Sequence, residues 1–232
     1  MKKIIIWLAI IVVVLVGGFG YGYYKASKAR SFAQKIKPDF AQVEVSDVSL
    51  DNLDAQIKQW EKAKQGVAKL RDTLALSPRE ASGLSDEISQ AADAVENGYK
   101  EIKALAFFAD VADAIRLRET SSAEEGRKAY EELIGRLDKI KATNISDFDL
   151  EAQFAEPLKN FQTAFDKYDK DARDNFEKVK AGNSTSLSGA EISEATQTIR
   201  QILLDSLREK IKTINEAKDA LDKAEVRLFR WW

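Results

Sequence analysis

The chain has 232 residues, with 36 Lys plus Arg against 38 Asp plus Glu, a formal net charge of -2. It contains no Cys and no His, which excludes disulfide frameworks, Cys/His zinc sites, thiolate nucleophiles, Ser-His-Asp triads and the Glu-x-x-His ligands of di-iron bundles. Only three Pro and eleven Gly occur, four of the Gly within 17–22, so helix breakers are scarce elsewhere and the expected fold is all-α.

The first predicted element is a membrane segment. Every residue from Ile4 to Val16 is apolar, and no charge follows until Lys25. A stretch from Ile4 to Tyr24 has the ~20 residues that a helix needs to cross a bilayer. Trp7 lies toward one end, and Tyr21, Tyr23 and Tyr24 crowd the other, where amphipathic rings prefer the headgroup layer. Residues 1–24 are therefore expected to form an uncleaved signal anchor. The alternatives are a cleavable signal peptide, with Gly18 and Gly20 at the cleavage site, or a fully buried core helix. No Cys follows the run, which excludes a bacterial lipoprotein anchor. Gly18 and Gly22 have the small-xxx-small spacing of a helix-dimer contact, which a flexible Gly-rich stretch also explains.

Two signals bear on orientation. Lys2 and Lys3 before the apolar run have the layout of an export signal, which places the N-terminus in the cytoplasm and the body outside, periplasmic or at the cell surface. Lys25, Lys28, Arg30, Lys35 and Lys37 after the run favour a cytoplasmic body by the positive-inside rule. The extracytoplasmic reading is preferred; Lys25, Lys28 and Arg30 then lie at the membrane interface, beside anionic headgroups or wall polymers. Setting aside these seven cations leaves 29 basic against 38 acidic residues from Pro38 onward, which argues against a nucleic-acid-binding surface.

Residues 25–48 read as a basic juxtamembrane helix ended by Pro38, then a connector in which Val43, Val45 and Val48 loosely alternate. The helical body, 49–232, opens at Ser49, a plausible N-cap for a stripe running from Leu50 through Trp60 and Val67 to Leu74. Ser77-Pro78-Arg79-Glu80 combines a capping box with Pro at the first helical position, and predicts a helix from Pro78 to Arg118. Ser122-Ala-Glu-Glu125 is a second capping box, opening a helix over Ala123 to Ala142. An acidic connector from Asn144 to Glu156 follows, with a helical turn around Leu150 to Phe154. Pro157 begins a helix closed by Gly182, and Ser188-Gly-Ala-Glu191 is a third capping box before a helix reaching almost to the last residue. Adding lengths at ~1.5 Å per residue, the juxtamembrane and first body helices make one column, and the two shorter helices after Ser122 make another. With the two long helices, this predicts an elongated antiparallel four-helix bundle of four columns behind the transmembrane helix.

Candidate chemistry is sparse. Asp110 with Asp113, the run Asp147 to Glu151, and Asp166, Asp169, Asp171 and Asp174 gather carboxylates, but Lys167, Lys170 and Arg173 interleave with the last group and mark a solvated, salt-bridged face. No metal, cofactor or catalytic residue is assigned, and an enzyme is not expected. Phe161, Phe165, Tyr168 and Phe176 recur at helical spacing and read as core; of Phe107 and Phe108, one should face the core and the other a neighbour or solvent. At the far end, Phe229, Arg230, Trp231 and Trp232 suit a membrane interface, with packing on the bundle or a partner-binding peptide as alternatives. The functional expectation is a membrane-anchored binding, scaffolding or spacer module at the cell envelope, with a protein partner or self-association there. The alternatives are a ligand-sensing bundle of chemoreceptor type, taking a small molecule between helices, and a tethered cytoplasmic rod.

Overall fold

The computed structural model describes residues 2–77, 79–117 and 122–226; of residues 2–13, Leu15, Glu80, Glu225 and Val226 it describes the backbone alone. The protein is all-helical, about 85% helix, with no strand among the described residues. Six α-helices follow in order: α1 (Lys2–Phe40), α2 (Leu53–Leu74), α3 (Ser82–Ala114), α4 (Ala123–Ala142), α5 (Ala155–Lys180) and α6 (Ala190–Val226). The chain divides into two compact units, the first made of Met1–Val45, Gln59–Glu96 and Lys210–Trp232, the second of Ser46–Lys58 and Asn97–Glu209. The first holds segments of four α-helices, the second segments of five, of which the start of α2 is the shortest.

In the first unit the apolar spacing of α1 changes character at Phe32. Phe32, Ala33, Ile36 and Phe40 are buried, about one turn apart along a single face, and so are Trp60, Ala63, Val67 and Leu70 of α2. Trp60 is wholly enclosed and its Nε1 has no hydrogen-bond partner. Pro38 does not end α1. It sits inside the last turn, where a missing N–H forfeits one intrahelical bond; burial of Phe40 and the Ala41 N–H to Lys37 O bond of 2.9 Å carry the chain past it. The connector that follows is irregular, as expected, and tucks Val43 and Val45 into the core.

The expected continuation of α1 into α2 as one column is overturned. A Cβ on the buried Gly66 would stand 3.5 Å from Gln42 Cβ and 3.6 Å from Val43 Cγ2, so the middle of α2 lies against the end of α1. The turn Arg79–Ala81, beyond the end of α2, packs back on α1 itself. The two helices are therefore side by side and antiparallel. Helix α3 then reverses again, held to α2 by Arg71, whose guanidinium grips Glu96 through two bonds of 2.9 Å and reaches Asp93 at 3.0 Å. Lys37 of α1 pairs with Asp222 of α6 at 3.0 Å.

The second unit corrects the other column. Arg173 meets Asp138 at 2.6 Å and Lys141 meets Asp169 at 3.2 Å, so rising numbers in α4 face falling numbers in α5. These helices form an antiparallel hairpin rather than an end-to-end stack. The reversal is built into the acidic connector: two 3-10 turns, Ile145–Phe148 and Ala152–Phe154, flank Asp149 in the left-handed conformation (φ 48°, ψ 52°). Lys100 pins Asp149 at 2.5 Å, and Phe154 plugs the core. Around that plug Phe108 meets Phe161 edge-on at 5.0 Å, and Phe161 stacks on Phe165 at 5.9 Å. Phe107 is half-buried against Phe148, so the pair Phe107 and Phe108 divides as expected.

Local signals fared unevenly. Ser122 caps α4 as read, its Oγ accepting from Glu125 N at 3.2 Å, and the helix has the expected bounds. Gly182 (φ 82°) closes α5 in a Schellman arrangement, with Asn183 N–H to Lys178 O and Gly182 N–H to Val179 O both 3.0 Å. Ser49 is no N-cap: its side chain makes no cap bond, and a 3-10 turn, Leu50–Asn52, separates it from α2. The third capping box does not form as read either. Helix α6 starts at Ala190, leaving Ser188 one residue too early, and Glu191 turns to Lys167 at 2.6 Å. Helix α3 starts at Ser82 and ends at Ala114, shorter than predicted at both ends; Pro78 and Arg118, the expected ends, lie outside the described residues.

The expected transmembrane segment lies within α1. Most of its side chains fall outside the described ones, and among the described residues no helix is long and apolar enough to cross a membrane. In α6 the stripe holds: Leu207, Ile211 and Ile214 are buried, whereas Lys212 is exposed. In urea titrations, each of the three changed to Ala should lose about 2 to 5 kcal/mol, and Ser122→Ala about 1 kcal/mol. Lys212→Ala should stay within about 0.5 kcal/mol of the parent; equal sensitivity at Lys212 would show the assigned face to be wrong.

Candidate functional site

The first candidate surface is the stretch of α1 before its buried part. Val14, Val16, Phe19, Tyr21, Tyr23 and Tyr24 are 51% to 66% exposed, and a Cβ on Gly18 or Gly22 would meet nothing within 4 Å. These side chains point around the whole helix, so no described part of the protein covers any one face. Cations close the stretch: Lys25 Nζ lies over the Tyr21 ring and Lys28 Nζ over the Tyr24 ring, each 4.5 Å from the centroid. Lys28 and Arg30 are half-buried where α1 enters the first unit. The remaining interface residues read from the sequence, the side chain of Trp7 and all of Phe229, Arg230, Trp231 and Trp232, lie outside the described residues.

Carboxylates are dispersed among ion pairs. Asp113 lies 3.8 Å from Arg116, Asp147 accepts from Asn144, and Asp149 is held by Lys100. One expectation fails in part: Asp169 is not on a solvated face but buried, bonded by Arg173 Nε at 2.8 Å and by Lys141. Its neighbour Arg173 also takes Asp138, and these carboxylates hold the guanidinium pKa above its ordinary value. Among the described residues no cluster of acids is arranged as a metal site. A second buried acid, Glu101, went unnoticed in the sequence; Ser206 Oγ donates to its Oε1 at 3.0 Å.

The second candidate is a cleft in the second unit with a volume near 620 Å³. One face of α6, including Ser193, Gln197, Arg200 and Leu204, forms its wall; these positions recur at three- and four-residue intervals. Ile115 and Arg116 close one side from the end of α3, and Leu50 the other. Hydrogen bonds hold the backbone of Ile115, of Arg116 and of Ser49, the residue before Leu50. Tyr168 Oη donates to Ile115 O at 2.6 Å, Arg136 Nη2 to Arg116 O at 3.1 Å, and Gln56 clasps the Ser49 backbone, donating to its carbonyl at 2.9 Å and accepting from its N–H at 3.3 Å. The cleft wall is thus set by hydrogen bonds far apart in sequence.

Arg200 is the exception among these partnered groups. Its Nε is buried without a hydrogen-bond partner, and among the described residues no carboxylate pairs with it. By contrast Arg71 and Arg173 each hold two acids. The sequence did carry a signal for this: positions three and four away, Thr196, Gln197, Leu203 and Leu204, include no acid.

No protein family matches the chain, and no curated protein or solved structure does either.

The Tyr168 clasp has a pH signature. Burial, and then the neighbouring Tyr130, push its pKa from 10.0 up to about 12. Above pH 10 the unfolded chain releases a proton that the folded protein keeps, so stability is full below pH 10 and falls as pH rises to about 12. In urea titrations across that window, Tyr168→Phe should flatten the decline. At neutral pH the same variant should lose about 1 to 3 kcal/mol, because Ile115 O is left unpaired.

Proposed function

We propose that the protein is anchored in a membrane by the segment Ile4 to Tyr24 and presents its helical units at the cell envelope as a binding or spacing module. The observation that carries this reading is the exposed, apolar, aromatic-ended stretch of α1. Water is a poor solvent for a helix apolar on every side, whereas a bilayer is a good one. Tyr rings capped by Lys25 and Lys28 suit the headgroup layer, where an indole or phenol finds both an apolar and a polar neighbour. Lys2 and Lys3 before the apolar run support an N-terminus in the cytoplasm with the units outside.

The pair Lys37 and Asp222 supports a second contact. It sets the end of α6 beside α1, about 20 Å along the helix from Tyr24. Ten residues follow Asp222 and include Trp231 and Trp232, whose indole rings suit the headgroup layer. Arg230 and Phe229 complete an interfacial composition. This route does not need the end-to-end columns that the structure replaces with hairpins.

Carbonate extraction of membranes should leave the protein in the pellet with Met1 retained, and protease added to spheroplasts should degrade the helical units while intact cells protect them. A soluble form starting near Tyr21 would sink the anchor. Protection in spheroplasts, lost only on lysis, would reverse the orientation.

A further inference from the structure

We propose that the cleft walled by α6 in the second unit binds a small soluble organic anion: a carboxylate or phosphate monoester on a short apolar body. Its volume of about 620 Å³ lies in the range of small-ligand sites. The lining carries two cations, Arg116 and Arg200, and no acid.

Arg200 carries most of the argument. A half-buried guanidinium has given up part of its hydration, and proteins normally offset that with a carboxylate. Here none is supplied, although acids are plentiful on the same helix. Glu191 is taken by Lys167, and Asp205 by Arg208 at 2.9 Å and by Gln201. An oxyanion in the cleft supplies the missing charge, and the planar fork of Arg suits carboxylate and phosphate oxygens alike. Arg116 is largely exposed, and its link to Asp113 is long at 3.8 Å, so its guanidinium is free to turn toward a ligand while Arg136 holds its backbone.

The remaining lining sets the rest of the ligand. Gln197 and Ser193 stand on the Arg200 face of α6 and offer neutral hydrogen bonds. Leu50, Ile115 and Leu204 offer apolar surface, and Leu50 is 39% exposed. One charged end and a body of a few carbons fit this division. The inference does not depend on the membrane anchor, since it draws on residues of the second unit alone.

The test uses the full chain in neutral phosphatidylcholine nanodiscs, with pentanoate, butyl phosphate, inorganic phosphate and pentanol as probes. Binding is followed by calorimetry and by the arginine Nε–Hε resonances. Pentanoate or butyl phosphate should shift the Arg200 resonance saturably and slow its exchange with water. Inorganic phosphate, lacking the body, and pentanol, lacking the charge, should each bind at least about tenfold more weakly, the loss of roughly one charge-assisted contact or a few buried methylenes. Arg200→Gln should weaken butyl phosphate by a similar factor with an unchanged urea midpoint, and Arg200→Lys should recover part of it. Gln197→Leu, which leaves both arginines in place, provides a second variant and should cost less. Absence of saturable binding, equal affinity for pentanol, or full affinity in a folded Arg200→Gln protein would each overturn the proposal.

Discussion

Three helices, α2, α3 and α6, supply residues to both compact units, and α3 and α6 carry an apolar stripe along most of their length. Those stripes must be covered throughout, or water meets a row of Ile, Leu and Val. The cover comes from α1 with α2 in one unit and from α4 with α5 in the other. The buried plugs, the hairpin reversals and the polar clasps all follow from fitting these amphipathic helices against α3 and α6. The connectors at the reversals run over the surface and are held by specific bonds such as Lys100 to Asp149 and Gln56 to Ser49.

Helix content, the α4 boundaries and the buried face of α6 were legible because they depend on local periodicity and on caps within four residues. Ser122 and Gly182 behave as their neighbours dictate. Pairing was not legible. The lengths of α4 and α5 sum to that of a long helix, so end-to-end stacking satisfied the arithmetic, yet only a buried Phe154 and a left-handed Asp149 decide the reversal. A stripe states that a face is buried without stating against what. Side chains explain other misses: the Gln56 amide holds the Ser49 backbone where no cap bond from the Ser49 hydroxyl forms, and Glu191 is drawn away by Lys167.

The candidate sites divide along the same line. The aromatic and basic end of the apolar run is a local composition, and the structure places Tyr21, Tyr23, Tyr24 and Lys25 in the open. The cleft is assembled from α6, the end of α3 and the turn at Leu50, so its parts lie scattered through the sequence. Asp169 shows how charge patterning misleads: interleaved cations predicted a wet face, but the carboxylate is buried while Lys141 and Arg173 reach it from the surface.

Helix α1 has no break between its open aromatic stretch and the buried trio Phe32, Ile36 and Phe40. It therefore acts as a shaft. A turn or tilt imposed on its outer end is delivered to the trio, because a helix resists twisting far more than a loop does. A pull along the axis loads all three rings and branches in shear, together rather than one after another. With the first unit gripping the shaft this way, mechanical resistance resides in the core of that unit.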